Sequence, residues 1–282
     1  MPNYTYVNLQ TRVADEINDS SAGSVSTAQV KKAIISAIEY YEGQRNWFGE
    51  AITRSGVTVA GFPAVAMPSD AVFLDKMQLS AVTSITATTN TNTLLTACSN
   101  TVFSVGQFLI GTGIPDSTLI KSIDSSSQIT MGDVTGASVN ATSSTVGATI
   151  RVVQAPRYDI EPISYQQYSG YQGQTGSTGQ PSQYCYYQDR LYLYPTPGSV
   201  YALMFWYIKR LPALSADGDT NGWTNFAEPV IRNRAKWDIF LNLLRNMKLA
   251  QAAKAQETDA MDSLETEHVQ RNTTGRLRAR YL

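Results

Sequence analysis

The chain has 282 residues, of which 43% are apolar and only 16% charged, and its formal net charge is −1. The apolar share excludes a disordered chain, the length suffices for one or two cored domains, and the balanced charge excludes a general pull toward nucleic acid or anionic membrane. Ser, Thr, Asn, Gln and 16 tyrosines stand where charge is missing, a surface that suits protein contacts because interface cores favour Tyr and disfavour Asp, Glu and Lys.

The N-terminal part reads as two helices. Tyr6, Leu9, Val13 and Ile17 share one face of a short helix with Thr5 as its cap. Ser26 and Gln29 form a capping box, and Val30, Ala33, Ile34, Ala37, Ile38 and Tyr41 keep the i, i+3, i+4 rhythm of a half-buried helix expected to reach about Trp47. A β region follows: Ala51–Ala60 alternates, Gly61–Pro63 is a turn, and Met67-Pro68-Ser69-Asp70 leads into a strand over Val72–Leu79. From about Ala81 to Thr149 the only charged residues are Asp116, Lys121, Asp124 and Asp133. Short apolar runs there (102–105, 108–110, 119–123, 148–153), set between turns such as Gly111-Thr112-Gly113-Ile114-Pro115, predict a small all-β module. Because Arg151–Tyr158 resumes the earlier composition, the module reads as an insertion, with 72–79 and 151–158 pairing at its base.

The chain then becomes tyrosine-rich, and Gly170–Gly179 reads as a loop. Gln183–Tyr187 and Leu191–Tyr194 form a hairpin across Gln188-Asp189-Arg190, which Pro195-Thr196-Pro197-Gly198 stops. Val200–Ile208 is a strand buried on both faces. Pro229 suits a first helical position, and Val230, Trp237, Phe240, Leu241, Leu244 and Met247 supply that helix with an apolar face. A second long helix, about Leu249–Arg271, has only the thin stripe Ala250, Ala253, Ala260, Met261 and Leu264. So polar a helix gains little from its own core and is expected to pack on a neighbouring subunit. The fold class is therefore α+β: a bundle of two N-terminal and two C-terminal helices, a central antiparallel sheet and an inserted all-β module. The expected boundaries are 1–80 with 151–272 for the core, 81–150 for a β-sandwich-like insertion and 273–282 for an extended tail.

Targeting and catalytic signals are weak. Met1–Asn8 lacks the apolar core of a signal peptide, and the longest apolar run, Tyr201–Ile208, is too short to span a bilayer. Without a secretion signal, Cys98 and Cys185 are expected as two free thiols. The single histidine, His268, stands beside Glu265 and Glu267 without the second Glu-x-x-His pair that a bundle metal site needs. There is no Gly-x-Ser-x-Gly elbow and no phosphate loop. We therefore expect no enzyme, no cofactor, no catalytic residue and no metal site. One segment does match a template: Asp217, Asp219, Asn221 and Glu228 fit the oxygen-ligand spacing of a calcium loop. A polar turn with Glu228 at a helix N-terminus fits the same residues, and both readings stay open. In the tail, Arg276, Arg278 and Arg280 alternate with Leu277, Ala279 and Tyr281, so an extended strand would show guanidinium groups on one face and apolar groups on the other.

Several motifs together resemble the head-to-tail adaptor (connector) family of tailed phages and are similar to the tail tubular A proteins of short-tailed phages. They are Arg45-Asn46-Trp47-Phe48 after two opening helices, Met67-Pro68-Ser69-Asp70, the hairpin from Arg190 to Pro197, the strand bearing Tyr207 and the final helices bearing Trp237. The resemblance covers about 1–80 and 151–282. It implies a structural virion protein of the neck, assembled in the host cytoplasm, that forms a dodecamer-like ring of about twelve subunits under the portal. The implied partners are the portal protein, tail nozzle or tail fibre and spike proteins, and genomic DNA passing through the channel without sequence-specific contact. It also implies that the C-terminal segment docks on the portal through Arg276, Leu277, Arg278, Arg280, Tyr281 and Leu282. A tail-fibre or receptor-binding protein is the alternative, motivated by the Thr/Ser-rich module, and it is weakened by the helical ends and the absence of internal repeats.

Overall fold

The computed structural model describes residues 4–18, 25–98, 103–172 and 177–274. The chain forms two compact units, one from 1–50 with 208–282 and one from 51–207.

The first unit is helical. α1 (Tyr6–Asn18) and α2 (Thr27–Glu42) form where the apolar periodicity predicts them. Tyr6, Leu9, Val13 and Ile17 are buried with Val30, Ile34 and Tyr41 in one cluster. Thr5 Oγ1 accepts from Asn8 N at the start of α1, and the Ser26–Gln29 capping box opens α2. α2 ends at Glu42 rather than Trp47, because Gly43 closes it and the chain turns again in a 3-10 turn at Trp47–Gly49. The rest of this unit begins after residue 207; its helices α4 (Gly222–Phe226), α5 (Glu228–Asp238) and α6 (Met247–Thr274) add Trp223, Val230, Ile231, Ile239, Ala250, Ala253 and Leu264 to the same core. Gly222 is required where it stands, since a Cβ there would lie 2.5 Å from the Phe48 ring. α6 is packed on its own core after all. Beneath its thin apolar stripe, Arg234 of α5 stacks on Trp237 at 4.2 Å and on Tyr40 at 3.8 Å, and the buried Glu257 of α6 pairs with Arg234.

The second unit is built on an 11-stranded sheet with strands β1 (Glu50–Val57), β2 (Ala64–Ala66), β3 (Ala71–Thr89), β4 (Leu94–Thr96), β5 (Leu109–Gly111), β6 (Leu119–Ser125), β7 (Gln128–Gly132), β8 (Thr145–Pro162), β10 (Gln183–Tyr187), β11 (Arg190–Tyr194) and β13 (Tyr201–Lys209). Its path is β2-β11-β10-β8-β3-β4-β7-β6, with β13 beside β1 and β3, and β5 beside β8. β9 (Thr178–Gly179) and β12 (Thr196–Pro197) make a separate parallel pair. The sheet is mixed, which corrects the expected antiparallel one. A helix the sequence does not predict, α3 (Tyr165–Gln172), lies between β8 and β10 and takes up the first three residues of the expected loop Gly170–Gly179; β10 enters parallel to β8 with Gln183 opposite Glu161. With α3 and α4 the described residues hold six helices rather than four.

β3 and β8 are the spine of this unit, paired antiparallel from Met77–Ile160 to Thr89–Thr145 with two register shifts. Toward one end they meet β4–β7 around Ile85, Leu95, Leu109, Ile120, Ile129, Met131 and Ile150. The few charged side chains of this stretch hold turns: Asp133 accepts from the backbone of Thr135 and Ala137, and Asp124 from the hydroxyls of Ser122 and Thr130. Toward the other end Met77, Leu79, Ile160, Leu191, Leu193, Leu203 and Phe205 form a second cluster. The β10–β11 hairpin turns at Gln188 and Asp189, both left-handed (φ 50° and 57°), the two-residue geometry that matches strand twist. β13 is buried on both faces, as its continuous apolar run predicts.

Candidate assembly interface

The helical unit buries charge. Glu228, at the start of α5, is 3% exposed, and Arg12 of α1 and Arg232 one turn on each lie 3.2 Å from its carboxylate. Glu16 bridges Arg232 and Lys236. Burial raises the Glu228 carboxyl above its ordinary value, and the two guanidinium groups only partly offset it. Burial also disfavours the Glu16 carboxylate, yet its hydrogen bonds and charge contacts with Lys236 and Arg232 outweigh that and hold it below the usual carboxylate range. On the α2 side Glu257, 1% exposed, takes a short hydrogen bond from Tyr41 and pairs with Lys254 at 2.9 Å. Removing one member of such a set leaves a buried charge without its partner, so the network ties α1, α2, α5 and α6 together.

This network lies beside a groove. A cavity of about 450 Å³ is lined by Tyr4, Arg12, Phe226, Val230, Leu264 and Glu267, among others. Ala260, Ser263, Leu264 and Glu267 give it one side of α6 by their i, i+3, i+4, i+7 spacing. A smaller hollow of about 290 Å³, between Gln44, Arg45, Asn46 and the residues Met261, Glu265 and His268, shares Leu264. The last described turns of α6 are thus a ridge flanked by two hollows. Arg271 fixes the ridge, pairing with Glu267 at 2.8 Å and stacking 3.6 Å over the Trp47 ring.

The calcium template fares differently in space than in sequence. Asp217 pairs with Lys31 at 2.9 Å, and its backbone carbonyl accepts from Val7 N. The Asp219 carboxylate accepts from the backbone N–H groups of Ser215 and Ala216, and its carbonyl accepts from Tyr6 N. Asn221 caps α4 through Trp223 N and Thr224 N, and Glu228 sits in the ion network. These oxygens point to four different tasks, and the segment caps α1 and α4. Among the described residues no group of three or more His, Cys, Asp or Glu side chains is arranged to hold a metal. His268 lines the smaller hollow, and both cysteines are buried and free. Burial pushes both thiols up, away from the reactive thiolate. The tail residues Arg276, Leu277, Arg278, Arg280, Tyr281 and Leu282 lie outside the described residues.

Sequence reasoning missed the groove and its ion network. Their members come from α1, α5 and α6, with Glu16 and Arg232 more than two hundred positions apart.

The model of the family described as SU10 adaptor protein matches residues 130–280, more than half of the chain. The chain belongs to this family of phage adaptor proteins. The match begins in β7 and takes in α5 and α6, which line the groove, while α1 lies before it. No curated protein matches the chain. An SU10 adaptor protein is a structural component of a virion that contacts other phage structural proteins, in keeping with a site built of packing and ion pairs. No helix among the described residues is long and apolar enough to cross a membrane.

Proposed function

We propose that this protein is the ring-forming subunit of a phage neck, seated between the portal and the tail nozzle or fibres and extending the DNA channel, with no turnover of its own. The observation that carries this reading is the adaptor-family match across β7 to α6. The grooved ridge of α6 supports it, since a heterologous surface repeated around an axis gives every copy the same contacts. The expected partners are further copies in a ring of about twelve, the portal, and nozzle, fibre or spike proteins, as in the tail tubular A proteins that the sequence resembles. DNA would pass without sequence-specific contact.

The division of labour follows the sequence segments. The core over 1–80 and 151–272 builds the ring, the module over 81–150 projects toward a fibre or spike, and 273–282 docks on the portal through Arg276, Leu277, Arg278, Arg280, Tyr281 and Leu282. Each tail contact can be weak, because tethered copies acting together multiply affinity by ~10²–10⁴. Deleting Thr273–Leu282 tests the tail: portal binding measured by co-sedimentation should fall at least tenfold, and unchanged binding contradicts the assignment.

A further inference from the structure

The spine of the sheet unit is broken at one level. The β3–β8 ladder pairs Ser80 with Arg157 and resumes at Val82 with Val153, so one residue of β3, Ala81, stands against three of β8, Gln154–Pro156. Ala81, Ala155 and Pro156 are exposed. The break falls between the two apolar clusters, with Met77, Leu79 and Ile160 in the inner part and Ile85, Leu109 and Ile150 in the outer part. Where two strands lose their ladder bonds they bend, so the angle between the parts is set by contacts beside the break. Those contacts centre on Arg54 of β1, a strand of the inner part. Its backbone N–H donates to Asp116 Oδ1 at 3.0 Å, and its Nη1 donates to Ser117 Oγ at 2.9 Å. The Arg54 and Arg157 guanidinium groups both lie over the ring of Phe108 in the outer part, at 4.9 and 5.4 Å. Phe108 and Ile110 in turn meet Val153 and Ala202 in a small buried cluster, with Val57 and Leu119 packed against it. Ser117 is left-handed (φ 60°), a conformation uncommon for a residue with a Cβ, and Thr118 Oγ1 donates to Pro115 O at 2.7 Å within the same turn. The turn thus holds an unfavourable backbone conformation where it meets β1.

We propose that Arg54 is a latch across a hinge. Joined to Asp116 and Ser117 and seated on Phe108, it holds the outer part of the sheet unit at one angle to the inner part. Without it the outer part swings about the break at Ala81 and Gln154–Pro156, and both apolar clusters stay intact. The break supplies the freedom, because a few exposed residues outside the ladder can absorb a change in φ and ψ without uncovering either cluster. Arg54 supplies the stop, because its planar guanidinium can lie on a ring while one N–H of its fork reaches a hydroxyl. The angle it fixes is the one at which the proposed module over 81–150 leaves the core. Every residue of the latch belongs to the sheet unit, so the inference stands apart from the ring reading.

The test uses the full chain, purified without the portal and spin-labelled at Ser69→Cys in the inner part and Val146→Cys in the outer part, both exposed positions. Cys98 and Cys185 are buried and stay unlabelled. Double electron–electron resonance should give one narrow distance distribution with Arg54 in place. Arg54→Ala and Asp116→Ala should each widen it at least twofold. Hydrogen exchange on the same variants separates swinging from unfolding: protection should fall at 54 and 108–118 and hold in β7 and β11. A distribution left unchanged by either variant overturns the latch. So does exchange that rises throughout 82–153, which would make Arg54 a stabiliser of the outer part rather than a setter of its angle.

Discussion

The two units bury polar groups in opposite ways. Among the described residues of the sheet unit the buried polar ones are Thr58, Ser80, Thr89 and Thr118, all hydroxyls. Three of these can be traced to backbone oxygens: Thr58 to Ser199, Thr89 to Thr145 and Thr118 to Pro115. In the helical unit they include Glu228, Lys236 and Glu257, whose charges are held by Arg12, Arg232, Glu16, Lys254 and Arg234. A hydroxyl satisfied by a nearby carbonyl costs little to bury, whereas a buried ion needs partners from several elements at once. The sheet unit is thus held by apolar packing and strand register. The helical unit adds a network of buried ion pairs that ties α1, α2, α5 and α6 together, so that losing one member strands a buried charge.

The comparison can be broken at either end. Phe205→Ala removes a ring that is 2% exposed in the sheet core, and should cost about 3–5 kcal/mol in denaturant unfolding. Hydrogen exchange should place that loss in 51–207; loss of protection spread equally over both units would contradict their separateness. Glu257→Ala leaves Arg234, Lys254 and the Tyr41 hydroxyl around an empty position, and should cost about 3 kcal/mol, confined to the helical unit. A smaller effect is expected at Asn221→Ala, which removes the α4 cap and costs about 1 kcal/mol by thermal melting.

The pH dependence sharpens the same contrast. Glu228 has a folded pKa raised by burial, so the folded state binds its proton more tightly than the unfolded chain does. Its contribution to stability is full below the ordinary carboxyl value and is lost as pH rises through the raised folded value. Glu16, held below that range, behaves oppositely: its stabilisation is present above the ordinary value and lost as pH falls through the lowered one. Stability measured against pH should therefore lose its fall with rising pH above the ordinary carboxyl value in Glu228→Gln, and its fall with decreasing pH below that value in Glu16→Gln; either variant leaving the profile unchanged would remove that residue from the network. The smallest effect expected is none at all. Millimolar calcium should leave the melting temperature unchanged, because Asp217, Asp219, Asn221 and Glu228 already serve Lys31, two backbone turns and two arginines. A calcium-dependent rise would restore the loop reading.

What was legible in the sequence follows the same division. α1, α2 and β13 could be read because aliphatic side chains at the helical or continuous spacing have one place to go. The hairpin could be read because turn residues sit between two tyrosine-rich runs. α3 could not, since its segment lacks an aliphatic stripe. Tyr165 stacks on Tyr187 at 4.0 Å and Tyr171 on Tyr194 at 4.6 Å, so the helix is made by partners that arrive later in the chain. β7 was hidden in a Ser/Thr-rich stretch whose neighbour β6 supplies its register. The calcium template misled because Asp, Asn and Gly at short spacing also serve as caps and turns. In the candidate site only single members such as Glu228 stood out, because ion pairs between distant segments leave no local pattern.

A ring-forming adaptor is defined by its assembly. Native mass spectrometry of the purified protein, alone and with the portal of the same phage, measures it directly. The adaptor reading predicts a ring of about twelve copies on the portal. A free-standing trimer that ignores the portal would contradict it and return the protein to the tail-fibre class.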